Sequence, residues 1–179
     1  PVSRQLSAIF LGPLGSMGHK SRRLERLCGL LAQACGADPK DLALAGRLAK
    51  ADLVSGMVGE FDTLQGVMGG IYAARKGQPK TTAQAIAEQY LPAGPDSPVP
   101  ASLGGALLAV ADKADTLAGC FGLNMIPTGA NDPYALRRAT LGICRIVMER
   151  GLSLDLDQLL SWAQEGYSDV KWKLVPEQA

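Results

Sequence analysis

Three aspartates are the residues of this sequence whose type and spacing best fit acid–base or metal chemistry. Asp112 and Asp115 are three residues apart in ADKADTL, and Asp52 stands alone in a long apolar run. Residues three apart share one face of a helix, so the first two form either a catalytic carboxylate pair or a charged face with Arg or Lys partners. Carboxylates alone hold Mg²⁺ weakly. We interpret Asp112 and Asp115 as residues of a solvated helix face or as partners of Arg or Lys, and Asp52 as a helix residue hydrogen-bonded to a neighbouring helix end.

Basic residues are the second group that can bind a ligand, because guanidinium and ammonium groups neutralise the phosphates of RNA. The net charge is only +1 over 179 residues, so any RNA contact must come from local clusters. The alternative is that these cations form ion pairs and keep an apolar helical domain in solution. The candidate phosphate-binding residues are Lys20, Arg22, Arg23 and Arg26, followed by Arg137 and Arg138.

Other signals of catalysis are missing from the sequence. It contains no GxxxxGK[ST] phosphate loop, no GxGxxG after a strand and no GxSxG elbow, so we predict no catalytic residue and no ATP site. The four cysteines show no CxxC pairing and are expected to be reduced. No signal peptide precedes the first apolar run, and the longest apolar stretch, residues 103–123, is interrupted by charges. We expect a cytoplasmic protein with no membrane and no DNA partner.

The elements that must position these residues are helices. Apolar residues make up 47% and aromatic residues 5% of the chain, which indicates a core of Leu, Ala, Val, Ile and Met. Apolar positions recur every three or four residues, and Ser or Asp caps mark several helix starts. Four prolines make residues 92–100 a surface loop. We predict an all-α fold with about seven helices: from Ser16 or His19 to Cys35, from Pro39 to about Val58, Thr63–Arg75, Ala83–Tyr90, from Ser102 to about Phe121, Tyr134–Arg150 and Asp157–Glu165.

Several segments, in order and covering about residues 14–150, resemble the β subunit of the bacterial two-subunit glycyl-tRNA synthetase. They are LGSM at 14–17, LAKADLVSGMVGEFDTLQGVMGG at 48–70, YAARKGQ at 72–78, AIAEQYLP at 85–92, ADKADTLAGCFG at 111–122 and PTGANDPYALRRATLGICRI at 127–146. One such segment alone is weak, but the set is specific. The matching part of that family is an internal helical domain.

The order of the helices also resembles the HD superfamily of phosphohydrolases, whose metal is held by a His, an adjacent His-Asp pair and a later Asp. The His-Asp position falls on Ala51 and Asp52. An alanine methyl group cannot replace an imidazole nitrogen as a ligand, so the resemblance implies an HD-like bundle without a metal. The remaining ligand positions fall near His19 or Lys20, and on Asp112 or Asp115.

The resemblance implies that the chain supports tRNA binding and positioning within a glycine–tRNA ligase. The α subunit of that enzyme forms the glycyl-adenylate with ATP and Mg²⁺, so no cofactor is expected in this chain, and its expected partners are the α subunit and tRNA(Gly). A purely structural scaffold and a divergent HD metal phosphohydrolase are the alternatives. We predict an HD-like domain over residues 1–151, with a lead-in at 1–13, and a C-terminal helix and tail at 152–179 leading to a further domain.

Overall fold

Helices form nearly all of the regular structure. The computed structural model describes residues 9–168 and residue 170, and within this part it contains eight α-helices, so the predicted all-α fold is confirmed. A small antiparallel ribbon of β1 (Ile9–Leu11) and β2 (Gly15–Ser16) precedes the first helix. The helices are α1 (Met17–Cys35), α2 (Pro39–Leu48), α3 (Gly56–Glu60), α4 (Val67–Arg75), α5 (Lys80–Glu88), α6 (Leu103–Gly122), α7 (Leu136–Glu149) and α8 (Leu156–Glu165).

Side-chain caps start three of the longer helices, as the sequence predicts. The side chain of Ser16 accepts from the backbone N–H of His19, and Ser102 accepts from that of Gly105. Asp38 accepts from the first free N–H groups of α2, and Pro39 follows it at the first helical position. These bonds satisfy N–H groups that have no partner inside the helix.

Helix α6 is the centre of the core and packs against α1, α2, α5, α7 and α8. Its apolar residues are buried on almost every side, which is typical of a helix surrounded by other helices. Leu107 and Val110 of α6 lie in one hydrophobic cluster with Leu24 and Leu31 of α1. Leu159 of α8 belongs to the same cluster. The charged residues of α6 must therefore be satisfied by side chains of the surrounding helices.

The prediction of a single helix from Pro39 to about Val58 is wrong. Helix α2 ends at Leu48, a 3-10 helix follows at Ala51–Val54, and α3 begins after Ser55. The side chain of Ser55 accepts from the N–H of Val58 and caps α3. Side chains that bond to the local backbone compete with helix continuation. The break turns residues 50–52 toward the centre of the molecule.

Smaller corrections concern helix ends. Helix α4 begins at Val67, after the left-handed Gly66, and not at Thr63. Helix α5 covers Lys80–Glu88 and so begins three residues before the predicted Ala83. Residues 1–8 of the predicted lead-in and residues 171–179 of the predicted tail lie outside the described residues. None of the helices within residues 9–168 combines the length and apolar character needed to cross a membrane.

Candidate functional site

A buried network of charges links α1 to the middle of α6. The carboxylate of Asp115, which is 1% exposed, accepts from Lys20 Nζ at 3.0 Å and from Arg23 Nε at 2.6 Å. A second guanidinium nitrogen of Arg23 lies 3.2 Å from the other Asp115 oxygen, so this contact is bidentate. The ring of Tyr167 lies under the guanidinium, with its centroid 3.9 Å from Cζ. The predicted Arg and Lys partnership of this aspartate is confirmed.

Asp112, one turn earlier on α6, contacts two ammonium groups. Lys20 Nζ lies 3.0 Å from Oδ1, and Lys50 Nζ lies 2.7 Å from Oδ2. Lys50 also donates to Gln89 Oε1 at 2.8 Å and to the Tyr90 hydroxyl at 3.2 Å. Lys50 lies in the break after α2, directly before the 3-10 helix Ala51–Val54.

The charge pairs determine how these groups titrate. Burial alone would raise the pKa of Asp112, but the ammonium groups of Lys20 and Lys50 outweigh it and hold the pKa well below its usual range. Burial would lower the pKa of Lys50, whereas Asp112 and Tyr90 raise it above that of an ordinary lysine. Both groups therefore stay charged at neutral pH.

A polar cleft of about 700 Å³ opens beside Asp112. Lys113 projects into it from α6, and Arg138 projects into it from the first turn of α7. Lys113 Nζ donates to the carbonyl oxygen of Leu91 at 3.0 Å. The walls carry two tyrosines and several hydroxyl and amide groups: Tyr90, Tyr134, Thr63, Gln65 and Thr116.

No carboxylate in the described part of the chain forms an ion pair with Lys113. Burial lowers its pKa to about 8; Asp112 opposes this shift, and the positive charges of Lys50, Arg138 and Lys20 reinforce it. Asp112 is already shared between two other ammonium groups. Arg138 is exposed, and within the described residues no hydrogen bond or ion pair of its side chain is found.

The cleft and the network behind it contain more positive than negative charge. Five cations lie in this region, against Asp112 and Asp115 in the network and the exposed Asp62 at the rim. Asp132, just before α7, is a fourth carboxylate whose charge interacts with Arg138. The five cations are Lys20, Arg23, Lys50, Lys113 and Arg138. Such a cleft is suited to an anion that brings its own negative charge.

Comparison with known proteins places the chain in a family. The model of the family described as "Glycyl-tRNA synthetase beta subunit" matches residues 2–178. The chain belongs to this family. It is 68% identical over 174 residues, or 97% of its length, to a glycine–tRNA ligase beta subunit of Nitratidesulfovibrio vulgaris strain DSM 19637 / Miyazaki F. It is 53% identical over 94% of its length to the protein of that name from Lawsonia intracellularis, and 49% identical over 98% to that from Azotobacter vinelandii. The chain spans about a quarter of the length of these relatives.

The structure separates the cations that the sequence groups together in this β-subunit segment. Lys20 and Arg23 are held by the α6 carboxylates, and Lys20 is only 3% exposed. Arg26 pairs with Glu165 of α8 and donates to the carbonyl oxygen of Trp162. Arg22 is exposed, with no hydrogen bond or ion pair to any residue that the structure describes.

The two candidate arginines on α7, Arg137 and Arg138, also lie in different surroundings. Arg137 donates to the carbonyl oxygen of Gly129 at 2.6 Å, at the exposed surface. Arg138 lines the cleft. Both follow Asp132, whose carboxylate accepts from the backbone N–H groups of Leu136 and Arg137 and so caps α7. Of the six candidates, Arg138 alone lines the cleft. Lys20 contacts the cleft wall through Asp112, whereas the partner of Arg23, Asp115, lies behind the wall.

The positions that carry metal ligands in the HD superfamily do not fit a metal in this β-subunit segment. Asp52 is 1% exposed, and its Oδ2 accepts from the N–H groups of Gly66 and Gly69 at 2.7 and 3.1 Å, as predicted for a helix residue bonded to a neighbouring helix end. His19 Nδ1 accepts from the N–H of Ser16 in a capping box. Ala51 offers no donor atom, and the ammonium groups on Asp112 occupy both of its oxygens. Across the described ranges, no three His, Cys, Asp or Glu side chains converge on a point where an ion can bind.

Sequence reasoning missed Lys50 and Lys113 as members of the site. Lys113 lies between the two aspartates of ADKADTL, and Lys50 directly precedes the degenerate pair Ala51-Asp52. Both lysines are isolated from other basic residues along the sequence, so a criterion based on dense basic clusters does not select them. A lysine inside a segment that resembles a metal-binding motif is the signal that would have found them.

Proposed function

We propose that this chain acts as part of the β subunit of a glycine–tRNA ligase, and that its polar cleft binds phosphate groups of tRNA(Gly). The observation that carries the proposal is the positive charge of Lys113 and Arg138 in one cleft, where neither side chain forms an ion pair with a described carboxylate. A lysine whose pKa is lowered to about 8 gains from any anion that approaches it. Each phosphodiester of a tRNA backbone brings one negative charge and acceptor oxygens, and Lys113 and Arg138, which line the same cleft, can each contact one.

The physical role proposed for the cleft is positioning. Holding the tRNA at fixed points reduces the entropic cost of bringing its acceptor end to the activated glycine. Phosphate contacts fix register and orientation without reading bases. ATP and Mg²⁺ are proposed to act at the α subunit, and the complex is proposed to work in the cytoplasm. Within this proposal, the chain has an HD-like fold whose former metal position is filled by lysine ammonium groups.

A scaffold role is the second candidate, and one observation favours it. Most of the α1 cations form internal contacts, as they would in a module whose charges serve stability. The scaffold and the tRNA proposals differ in what happens when cleft cations are removed. Removal leaves a scaffold unaffected, whereas it weakens a tRNA-binding surface.

The test is the affinity for tRNA(Gly), measured by fluorescence anisotropy at low salt. The double variant Lys113→Ala/Arg138→Ala is compared with Arg75→Ala/Lys76→Ala, which removes two exposed cations at the far end of α4. A hydrogen bond to a charged group contributes about 1.5 kcal/mol or more, so the cleft variant is expected to bind at least about tenfold more weakly. The control is expected to change affinity less than threefold.

Glycylation supplies the second measurement. The same variants are placed in a full-length β subunit that carries these residues, and kcat/KM for tRNA is measured with the α subunit. Loss of kcat/KM in the cleft variant alone supports positioning. Equal activity of the cleft variant, the control variant and the unmodified enzyme contradicts the proposal and favours the scaffold.

A further inference from the structure

Helix α7 carries two apolar faces, although only one of them is buried. Ile143 and Ile146 face the core and are 5% and 0% exposed. On another face, Leu141 is 65% and Met148 is 80% exposed, with the exposed Cys144 between them. The spacing of three and four residues between these exposed positions follows the helical repeat. A surface helix with a solvated outer face has polar residues there, so α7 has a second, unpartnered stripe.

Helix α8 also has a buried apolar face and an exposed apolar face, and it lines the same groove as α7. Leu159 is buried in the core, while Leu156 and Leu160, four residues apart, are 42% and 44% exposed. Phe121, near the end of α6, is 45% exposed next to them. The exposed apolar side chains of three helices therefore meet on one side of the molecule.

Of these side chains, Phe121, Cys144, Leu156 and Leu160 line a groove of about 520 Å³, whereas Leu141 and Met148 lie on α7 outside its wall. Its wall contains no charged side chain among the described residues, in contrast to the polar cleft. Thr140 and Gln164 are its polar members. The remaining lining residues are Leu117, Ala118, Phe121, Gly122, Ile143, Cys144, Leu156, Leu159 and Leu160. Contiguous apolar surface of this kind marks a site where another polypeptide packs.

We infer that this groove, the α6–α8 groove, is covered by an apolar helix face from another part of the same β-subunit polypeptide. Thr140 and Cys144 of α7, and Leu156 and Leu160 of α8, line the groove at a spacing of four residues, which suits a helix packed between them. The relatives are about four times as long as this chain, so most of their polypeptide lies outside the matched segment. Covalent attachment gives such a helix a high local concentration at the groove. Permanent interfaces are also more apolar than transient ones. The inference rests on family membership and does not depend on the proposed tRNA contact.

The exposed Cys144 in the groove wall provides the test. A full-length β subunit that carries these residues is treated with iodoacetamide, and alkylation of each cysteine peptide is followed by mass spectrometry. Each rate is divided by the rate for the same peptide in concentrated urea, which removes differences in intrinsic reactivity. The 179-residue chain serves as the uncovered reference. Cys144 is expected to react at least tenfold more slowly in the full-length subunit than in the 179-residue chain.

A matched pair of variants tests the assignment to the groove. Leu160→Glu places a charge in the groove wall and is expected to restore Cys144 alkylation in the full-length subunit at least tenfold. Val67→Glu changes a similarly exposed apolar residue on α4 and is expected to leave Cys144 protected. The rate in the unmodified subunit requires no variant, so the test stands even if Leu160→Glu fails to fold.

Three outcomes overturn the inference. Equal Cys144 rates in the full-length subunit and in the 179-residue chain show that the groove is open. Protection that appears only after the α subunit is added assigns the groove to that subunit. Protection that disappears on dilution assigns it to a second copy of the chain.

Discussion

Replacing Asp112 with Asn tests whether the buried charge network determines stability. The substitution keeps the shape of the side chain but removes the carboxylate that pairs with Lys50, which is 3% exposed and has no other ion pair among the described residues. One side-chain oxygen remains as an acceptor, and the new NH₂ group faces an ammonium group. Removing one partner of a buried ion pair costs about 3–5 kcal/mol. Because Lys20 keeps Asp115, we expect the low end, about 3 kcal/mol.

The assay is urea unfolding at neutral pH. A loss of about 3 kcal/mol corresponds to a midpoint about 1–3 M lower in urea, or a Tm about 6–12 °C lower for a domain of this size. Asp62→Asn is the matched control, because Asp62 lines the same cleft but is exposed. The control is expected to stay within about 0.5 kcal/mol of the unmodified chain.

The pH dependence of the difference gives a second test. The folded-state pKa of Asp112 is lowered, so its stabilising contribution is complete above the ordinary value of 3.8 and is lost as the pH falls below it. Asparagine does not titrate at this position. The gap between the unmodified chain and Asp112→Asn should therefore be constant from pH 5 to 8 and about 1 kcal/mol smaller at pH 3. A variant as stable as the unmodified chain at pH 7, or a gap that does not change with acid, would refute the reasoning.

Substitutions at two glycines, substitutions at Asp52 and a titration of Lys113 test separate parts of the structure. Gly46→Ala should destabilise by about 1–3 kcal/mol in urea unfolding, because the new methyl group would lie 2.6 Å from a backbone oxygen of α1; Gly29→Ala, which has room for a methyl group, should instead be neutral or stabilising by up to about 1 kcal/mol. Asp52→Ala should cost about 2–4 kcal/mol and speed amide exchange at the start of α4, because two buried N–H groups lose their acceptor; Asp52→Asn should cost less, and equal exchange rates in all three proteins would contradict this role. NMR of ¹³C-methylated lysines should give Lys113 a pKa of about 8, and tRNA should raise it toward the ordinary 10.5; a pKa near 10.5 in the free chain would show that the cleft does not lack an anion.

Local sequence signals predict the starts of several helices. Asp38 and Ser102 are predicted caps because their side chains act within three residues, and the structure shows both bonds. The break after Leu48 was not predicted, because part of its cause is distant. The carboxylate of Asp52 bonds to amides 14 and 17 residues later in the chain. Periodicity cannot detect a contact of that kind.

The site was less predictable than the fold. The cations of α1 were grouped by their density along the sequence, but the carboxylates that hold Lys20 and Arg23 lie more than 90 residues away. Two adjacent arginines on α7 show the same limit, since only Arg138 reaches the cleft. The replaced ligand position can be read directly from the sequence, because residue 51 is an alanine and has no imidazole.

The most direct test of the central claim is the salt dependence of tRNA(Gly) binding. Each phosphate contact that is lost lowers the slope of log K against log salt concentration by about 0.7–0.9. If the cleft binds the backbone, Lys113→Ala/Arg138→Ala should lower the slope by about 1.4–1.8, and Arg22→Ala/Arg26→Ala on α1 should leave it nearly unchanged. An unchanged slope in the cleft variant, with a lower slope in the α1 variant, would contradict the account and move the tRNA contact to the surface of α1.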